Sequence, residues 1–186
     1  MSPTNKLILL TGPSGVGKTT IALALLKIMP GLQRLVTYTT RQPRPNEKND
    51  VDYHFVNVEQ YNAKLDNGDF FEHAEVYGHL YGNCRKELKQ IWDSGKIALM
   101  VLDIQGVRTV EKVIPEAVSI FLMHDTLDNL KKRIRERPMS DEDFQKRWQT
   151  VERELAEARD CDFQVINEEG KIEETVLKVK IIISNN

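Results

Sequence analysis

Leu7-Ile8-Leu9-Leu10-Thr11-Gly12-Pro13-Ser14-Gly15-Val16-Gly17-Lys18-Thr19 is the stretch on which the reading of this chain turns. Leu7–Thr11 is a short apolar run, the pattern of a strand buried on both faces. The next eight residues fit G-x-x-x-x-G-K-[ST] at every fixed position. Glycines there let backbone N–H groups turn inward around phosphate oxygens, where side chains would intrude. A helix predicted from about Lys18 to Met29, stopped by Pro30-Gly31, adds its positive N-terminal end. Lys18 would reach the β- and γ-phosphates, and the Thr19 hydroxyl would ligate Mg²⁺. Average residue frequencies produce such a string by accident in about one chain in a hundred of this size. The strand before it and the helix after it supply the context the motif requires. The segment reads as a nucleoside triphosphate site made of Gly12, Pro13, Ser14, Gly15, Val16, Gly17, Lys18, Thr19 and the adjoining Thr20.

Beyond this loop, a strand is expected at Arg34–Tyr38 and an ordered polar loop at Thr39–Asp52. Further strands are expected at Tyr53–Val56, Phe70–Tyr77 and His79–Tyr81, with a helix near Val58–Asp66 and a hairpin at Tyr77-Gly78-His79. The chain then alternates: helix Arg85–Asp93, strand Ile97–Leu102, helix Val107–Val113, strand Val118–Met123. A basic helix follows at Leu127–Arg137 with Thr126 as its N-cap, and Ser140 with Asp143 resembles a capping box opening a long helix. Strand Phe163–Ile166 and helix Ile172–Ile183 complete the chain. Alternating strands and helices imply a mostly parallel sheet with helices on both faces. The stretch near Val51–Gly82 breaks the alternation and reads as an insertion.

Composition narrows the class. The 186 residues suit one domain, and 40% hydrophobic against 29% charged residues can fill a core. Lys and Arg number 26 against 28 acidic residues, a net charge of -2, which argues against a nucleic-acid coat or a polybasic membrane binder. Two cysteines, Cys84 and Cys161, are too few for a disulfide scaffold. No apolar run approaches the roughly 20 residues of a membrane span. The opening residues do not read as a signal peptide. A soluble, cytoplasmic protein is expected.

A phosphate loop serves GTPases, motors and kinases alike, and the guanine-reading Asn-Lys-x-Asp that accompanies it in GTPases is absent. A kinase needs a second anion site for its acceptor. Arg41 and Arg44, three apart and held by Pro43 and Pro45, could clamp one phosphate with forked donors, with a phenol such as Tyr53 adding another. By itself the segment also reads as a solvated polar loop.

Taken together, these residues resemble the guanylate kinase family over almost the whole chain. The resemblance rests on Thr39-Thr40-Arg41-x-x-Arg44-x-x-Glu47 followed by Asp52-Tyr53-x-Phe55-Val56. It extends through Phe70-Phe71-Glu72-His73-Ala74, Tyr81-Gly82 and Asp103-Ile104-Gln105-Gly106. It implies a P-loop NTPase-type α/β core (about 1–33, 84–125 and 148–186). A small mixed-strand monophosphate-binding subdomain (about 34–83) and a helical lid (about 126–147) would be added to that core. The implied reaction is reversible transfer from ATP to GMP or dGMP, with Mg²⁺ as cofactor, in a monomer or homodimer. Arg41, Arg44, Tyr53 and Tyr81 would hold the acceptor phosphate. Glu72 would accept from guanine N1–H and the exocyclic amine, and Thr37 would touch the same base. Asp103 would hold Mg²⁺ through water, and Asn167 would end the adenine-side strand. Arg137 and Arg147 match the lid arginines, with a spacing one residue short that leaves Arg133 or Arg135 as substitutes.

Three positions depart from the family pattern. Asn83 stands where Ser or Thr usually follows Tyr-Gly at a base-contacting position; its amide can still donate to guanine O6. Val101 stands where many members carry an aspartate facing the acceptor nucleotide. Asn46 replaces a loop glycine, which suits a left-handed conformation. The first rival reading is a kinase of the same family acting on another phosphorylated acceptor. The second is a non-catalytic guanylate-kinase-like binding module.

Overall fold

The computed structural model describes residues 5–76, 78–136 and 140–186. In chain order these form β1 (Leu7–Thr11), α1 (Lys18–Ile28), β2 (Leu32–Arg34), β3 (Tyr38–Thr39), β4 (His54–Phe55), α2 (Val58–Asp66), β5 (Phe70–Val76) and β6 (His79–Cys84). There follow α3 (Arg85–Asp93), β7 (Ile97–Val101), α4 (Ile104–Val113), β8 (Val118–His124), α5 (Leu127–Arg135), α6 (Asp141–Glu157), β9 (Phe163–Asn167) and α7 (Ile172–Asn185).

The main sheet is parallel with strand order β2-β7-β1-β8-β9. Alternation along β1 divides the core. Ile8 and Leu10 pack with Leu99, Ile120, Leu122 and Val165 under α1, α5, α6 and α7. Leu7 and Leu9 face the other way, with Ala98, Met100 and Phe121 under α3 and α4. Every residue of β1 is buried, as expected of a central parallel strand, and each such leucine contributes roughly 2 kcal/mol of burial. Both helix layers are thus built by the period-two pattern of strands that carry apolar residues on both faces.

A second, smaller sheet has the order β4-β3-β6-β5, with β3 and β4 parallel and the other pairs antiparallel. Tyr61 of α2 closes its own small core with Phe70 and Cys84. A bulge between Phe70 and Glu72 interrupts the β5–β6 register. It makes three successive residues buried: Phe70 enters the small core, Phe71 the main core, and Glu72 the crevice between them.

Several boundaries differ from the sequence expectation. The single strand expected at Arg34–Tyr38 is two: Leu32–Arg34 pairs with β7 in the main sheet, and Tyr38–Thr39 starts the second sheet. Leu35, 2% exposed, donates its N–H to Leu99 O and ends the first, so the chain changes sheets between Leu35 and Tyr38. The helix expected from Val107 begins at Ile104, because Asp103 accepts from Gly106 N and caps it. Ser140 caps α6 by accepting from Asp143 N, but its hydroxyl donates to the Asp143 carboxylate, so the reciprocal bond of a capping box is missing. Asn46 does not take the left-handed conformation; among described residues Asp50, with φ 62, is the non-glycine that does. The turn Arg44–Glu47, closed by Glu47 N to Arg44 O at 3.0 Å, has Pro45 at its second position and needs no positive φ at Asn46. Tyr77 of the expected hairpin and Arg137 of the expected basic helix lie outside the described residues.

Candidate active site

The carboxyl ends of β1 and β7 are adjacent, with Leu10 registered against Val101, so the loops that follow them open into one crevice. After β1 the chain turns at Gly12 (φ 136), where a Cβ would meet the Leu122 carbonyl oxygen at 2.4 Å. Only glycine passes there. The loop closes on itself through Val16 N to Pro13 O at 3.2 Å. Ser14 and Gly15 line its partly exposed turn, and Gly17 caps α1. Lys18 folds over the loop, donating to Gly12 O at 2.5 Å and Pro13 O at 3.2 Å. Thr19 and Thr20, in the first turn of α1, are exposed. Asn167, at the end of β9, donates from Nδ2 to Val16 O at 2.8 Å and braces the loop from behind. Its Oδ1 is buried without a partner.

Across the crevice, Asp103 caps α4. A Cβ on Gly106 would stand 3.4 Å from Glu72 Oε1 and 3.4 Å from Asp103 Oδ1, so the absent side chain leaves room where the two carboxylates converge. Glu72 is 2% exposed. Burial first, and the nearby Asp103 charge after it, push its carboxyl up to about 7, against the opposing hydrogen bond from Asn83. Asn83 Nδ2 donates to Glu72 Oε2 at 2.6 Å, and Thr37 Oγ1 donates to Asn83 Oδ1 at 2.9 Å. The Thr37 hydroxyl is therefore engaged with residue 83. Val101 leans on the apolar core beneath α1.

The arginine loop gathers the other anion-binding candidates. Arg41 lies 5.3 Å from the Tyr53 ring centroid, and Tyr53 meets Tyr81 edge-on at 6.2 Å. Burial holds the Tyr53 phenol above its ordinary range, so it stays a donor. Arg44 is more open, its side chain 58% exposed.

Two residues in the site had no role assigned from sequence. Glu47 accepts from Arg41 Nη2 at 2.9 Å on both oxygens, and also from the Arg44 backbone N–H at 2.8 Å. One carboxylate thus orients both arginines, and its place at the end of the Arg-x-x-Arg-x-x-Glu motif was the signal for it. Glu154, on α6, is 9% exposed, and burial pushes its carboxyl up to about 7 against the opposing Lys18 charge. It was hidden because it sits on the apolar stripe of a helix, where periodicity predicts core. Arg147 is seven residues before it, two turns along the same face. Of the substitute lid arginines, Arg135 is tied to Asp141 and lies 3.8 Å from the Phe144 ring centroid, while Arg133 is half-buried on α5. Among described residues no helix is long and apolar enough to cross a membrane.

This arrangement matches a family in known proteins. The guanylate kinase family matches residues 4–186 of the chain. The guanylate kinase of Salinibacter ruber is 37% identical over 188 residues, covering 98% of this chain and 100% of that protein. That of Thermosynechococcus vestitus is 40% identical over 165 residues, covering 88% of this chain and 86% of that protein. The crystal structure of guanylate kinase from Anaplasma phagocytophilum superimposes with a TM-score of 0.78 at 30% identity, over 96% of this chain and 84% of that one. A shikimate kinase from Bacteroides thetaiotaomicron, 13% identical with a TM-score of 0.52, shares the fold alone. Matched at this identity over nearly its whole length, the chain belongs to the guanylate kinase family.

Proposed function

We propose that this chain transfers the γ-phosphoryl group of ATP to the phosphate of GMP or dGMP. The observation that carries the reading is Glu72: a buried carboxylate aimed at the space left by Gly106, at the carboxyl ends of the strands that also carry the phosphate loop. A carboxylate accepts from a donor–donor edge, which guanine presents through N1–H and its 2-amine and adenine does not. The stretch 34–83 is the monophosphate-binding subdomain, and 126–147 is the lid.

Arg41 and Arg44, with the phenols of Tyr53 and Tyr81, hold the acceptor phosphate in line. The loop Gly12–Thr19 wraps the donor phosphates, and Lys18 leaves the Gly12 and Pro13 carbonyls to meet them. Arg137 and Arg147 neutralise charge on the transferring group. Thr19 and Asp103 offer a hydroxyl and a carboxylate, hard oxygen donors suited to Mg²⁺, with Asp103 acting through water. Bound there, Mg²⁺ would neutralise phosphate charge. Closure excludes water and limits wasteful ATP hydrolysis.

A coupled ADP-release assay over a panel of nucleoside monophosphates tests the reading. Turnover of GMP and dGMP far above AMP, CMP and UMP is expected; rapid use of another acceptor with none of GMP overturns it. Within the same assay, Glu47→Gln should raise the KM for GMP about tenfold and change kcat little. Loss of one charged anchor costs roughly 1.5 kcal/mol. An unchanged KM would show that Arg41 and Arg44 need no such brace.

A further inference from the structure

Arg34 is the last residue of β2, registered against Leu99 in the main sheet and close to the buried Leu32 and Leu35. Its side chain leaves that sheet for the loop beside β4. Nη2 donates to Asp52 O at 2.9 Å, and the guanidinium carbon lies 5.7 Å from the Tyr53 ring centroid. Asp52 and Tyr53 belong to a tight turn, in which Asp52 N donates to Lys48 O at 3.0 Å and Asp50 N to Tyr53 O at 2.9 Å. Arg34 thus ties that turn, and the phenol that ends it, to a strand of the core. Its charge is handled unlike that of Arg41, which Glu47 holds. Arg34 is half-buried, and among the described residues it has no ion pair. The Asp52 carboxylate is engaged inside the turn, where Oδ2 accepts from Lys48 N at 2.8 Å. A charge held half out of water without a counter-charge is costly until an anion meets it. A guanidinium carries five N–H donors, and the bond to Asp52 O engages one of them. Burial raises the Tyr53 phenol above its ordinary range, and among the surrounding charges Arg34 opposes that rise most, ahead of Arg41.

From this we infer that Arg34 is a third arginine of the acceptor-phosphate site, holding Tyr53 in place and supplying a positive charge that the phosphate, rather than a carboxylate, balances. The inference rests on the acceptor role proposed for Arg41, Arg44 and Tyr53. Charge matching gives it its purpose. Glu47 lies 2.9 Å from Arg41 and 3.8 Å from Arg44, so the two arginines and their shared carboxylate carry one net positive charge. A phosphate monoester carries roughly −1.5 to −2 at pH 7. Arg34 raises the site to two positive charges and matches the dianion. The division of labour follows from geometry. Arg41 and Arg44 are set by a turn of their own loop, through Glu47. Tyr53 is set from the core, through Arg34 and the Asp52 carbonyl. Toward the phenol Arg34 is a positioning residue, and toward the phosphate it acts by its charge.

The test measures the KM for GMP and the inhibition constant of guanosine, which has the base and lacks the phosphate, at pH 8. Arg34→Met should raise the KM for GMP about tenfold, with the KM for ATP and the guanosine constant each within twofold of the unaltered chain. Arg34→Lys keeps the charge without the planar fork, and should bring the KM for GMP back to about threefold above that of the unaltered chain. Arg34→Gln removes the charge while keeping a donor for Asp52 O, and serves as the neutral variant if Arg34→Met fails to fold. A structural role alone would weaken guanosine and GMP in proportion, and would leave the lysine variant no better than the neutral ones. Either that pattern or a KM for GMP within twofold of normal in a folded neutral variant overturns the inference, while leaving the acceptor site of Arg41 and Arg44 intact. No turnover of GMP by the unaltered chain overturns the acceptor reading itself, and this inference with it.

Discussion

Replacing Glu72 by Gln will reduce kcat/KM for GMP by two to four orders of magnitude, leave the KM for ATP within twofold, and make the unliganded protein more stable above pH 7. The catalytic loss follows from hydrogen-bond polarity. A glutamine keeps one acceptor and gains an NH₂, and Asn83 Nδ2, 2.6 Å away, claims the acceptor. The NH₂ then faces guanine donors, where two charge-assisted bonds of roughly 1.5–3 kcal/mol each had been made. The stability gain follows from burial. Burial and Asp103 hold the Glu72 carboxyl at about 7. Folding is therefore favoured by its protonated form, and that advantage fades as the pH rises from the unfolded-chain carboxyl range through 7. Above pH 7 the buried charge costs on the order of 3 kcal/mol, which an uncharged glutamine avoids. Thermal melts at pH 8 should show Glu72→Gln higher by several degrees, with no difference near pH 5. Glu154 titrates in the same window, so part of the pH dependence remains in the variant. Kinetics give a second check: the KM for GMP should climb as the pH falls below 7 in the unaltered chain. The variant should retain only the shallower dependence due to the nucleotide phosphate. A variant with near-normal GMP use would remove Glu72 from base recognition.

Replacing Lys18 by Ala will lower kcat about a thousandfold while the fold survives. In the structure the ammonium donates to the Gly12 and Pro13 carbonyls, partly exposed, and its charge favours the ionised form of buried Glu154, a carboxyl that can take up a proton when Lys18 is removed. Its absence is felt when negative charge spreads over the transferring phosphoryl group, where one well-placed donor supplies roughly 10²–10³ in rate and a full charge more. Circular dichroism and melting should be close to those of the unaltered chain, with the loss confined to turnover in the ADP-release assay. Less than a tenfold effect on kcat would mean that the lid arginines carry the transition-state charge without Lys18.

Much of the candidate site was legible in sequence because it is written in short contiguous motifs. The phosphate loop needs small residues at fixed offsets to bring backbone N–H groups inward, and Gly12 against the Leu122 carbonyl shows why no other residue fits. Arg41, Arg44 and Glu47 are likewise local: one turn brings the carboxylate onto both arginines. Less legible was everything that depends on two distant segments meeting. Glu154 lies on a helix face that reads as core, and only packing of α6 brings it near Lys18 and Asp103. The switch of sheets after Arg34 was masked because residues 32–39 hold no Gly or Pro to mark a break between the two strands.

By itself, then, the sequence determined a parallel α/β core, through alternating buried strands and helices, and a triphosphate loop at its leading edge. It determined as well a second cluster of arginines and phenols suited to a phosphate. The tertiary structure alone decided how Glu72, Asn83 and Thr37 meet. Glu72 and Asn83 are eleven residues apart on neighbouring strands, and Thr37 is further away still. Burial raises the carboxyl of the first, and Asn83, itself held by the Thr37 hydroxyl, donates a hydrogen bond to it. The physical reason is that hydrogen-bond polarity and desolvation belong to the set of groups that fold together around an atom. Phosphate binding by a glycine loop is a property of consecutive backbone, whereas the surroundings of the Glu72 carboxylate come from side chains that meet only in the folded chain.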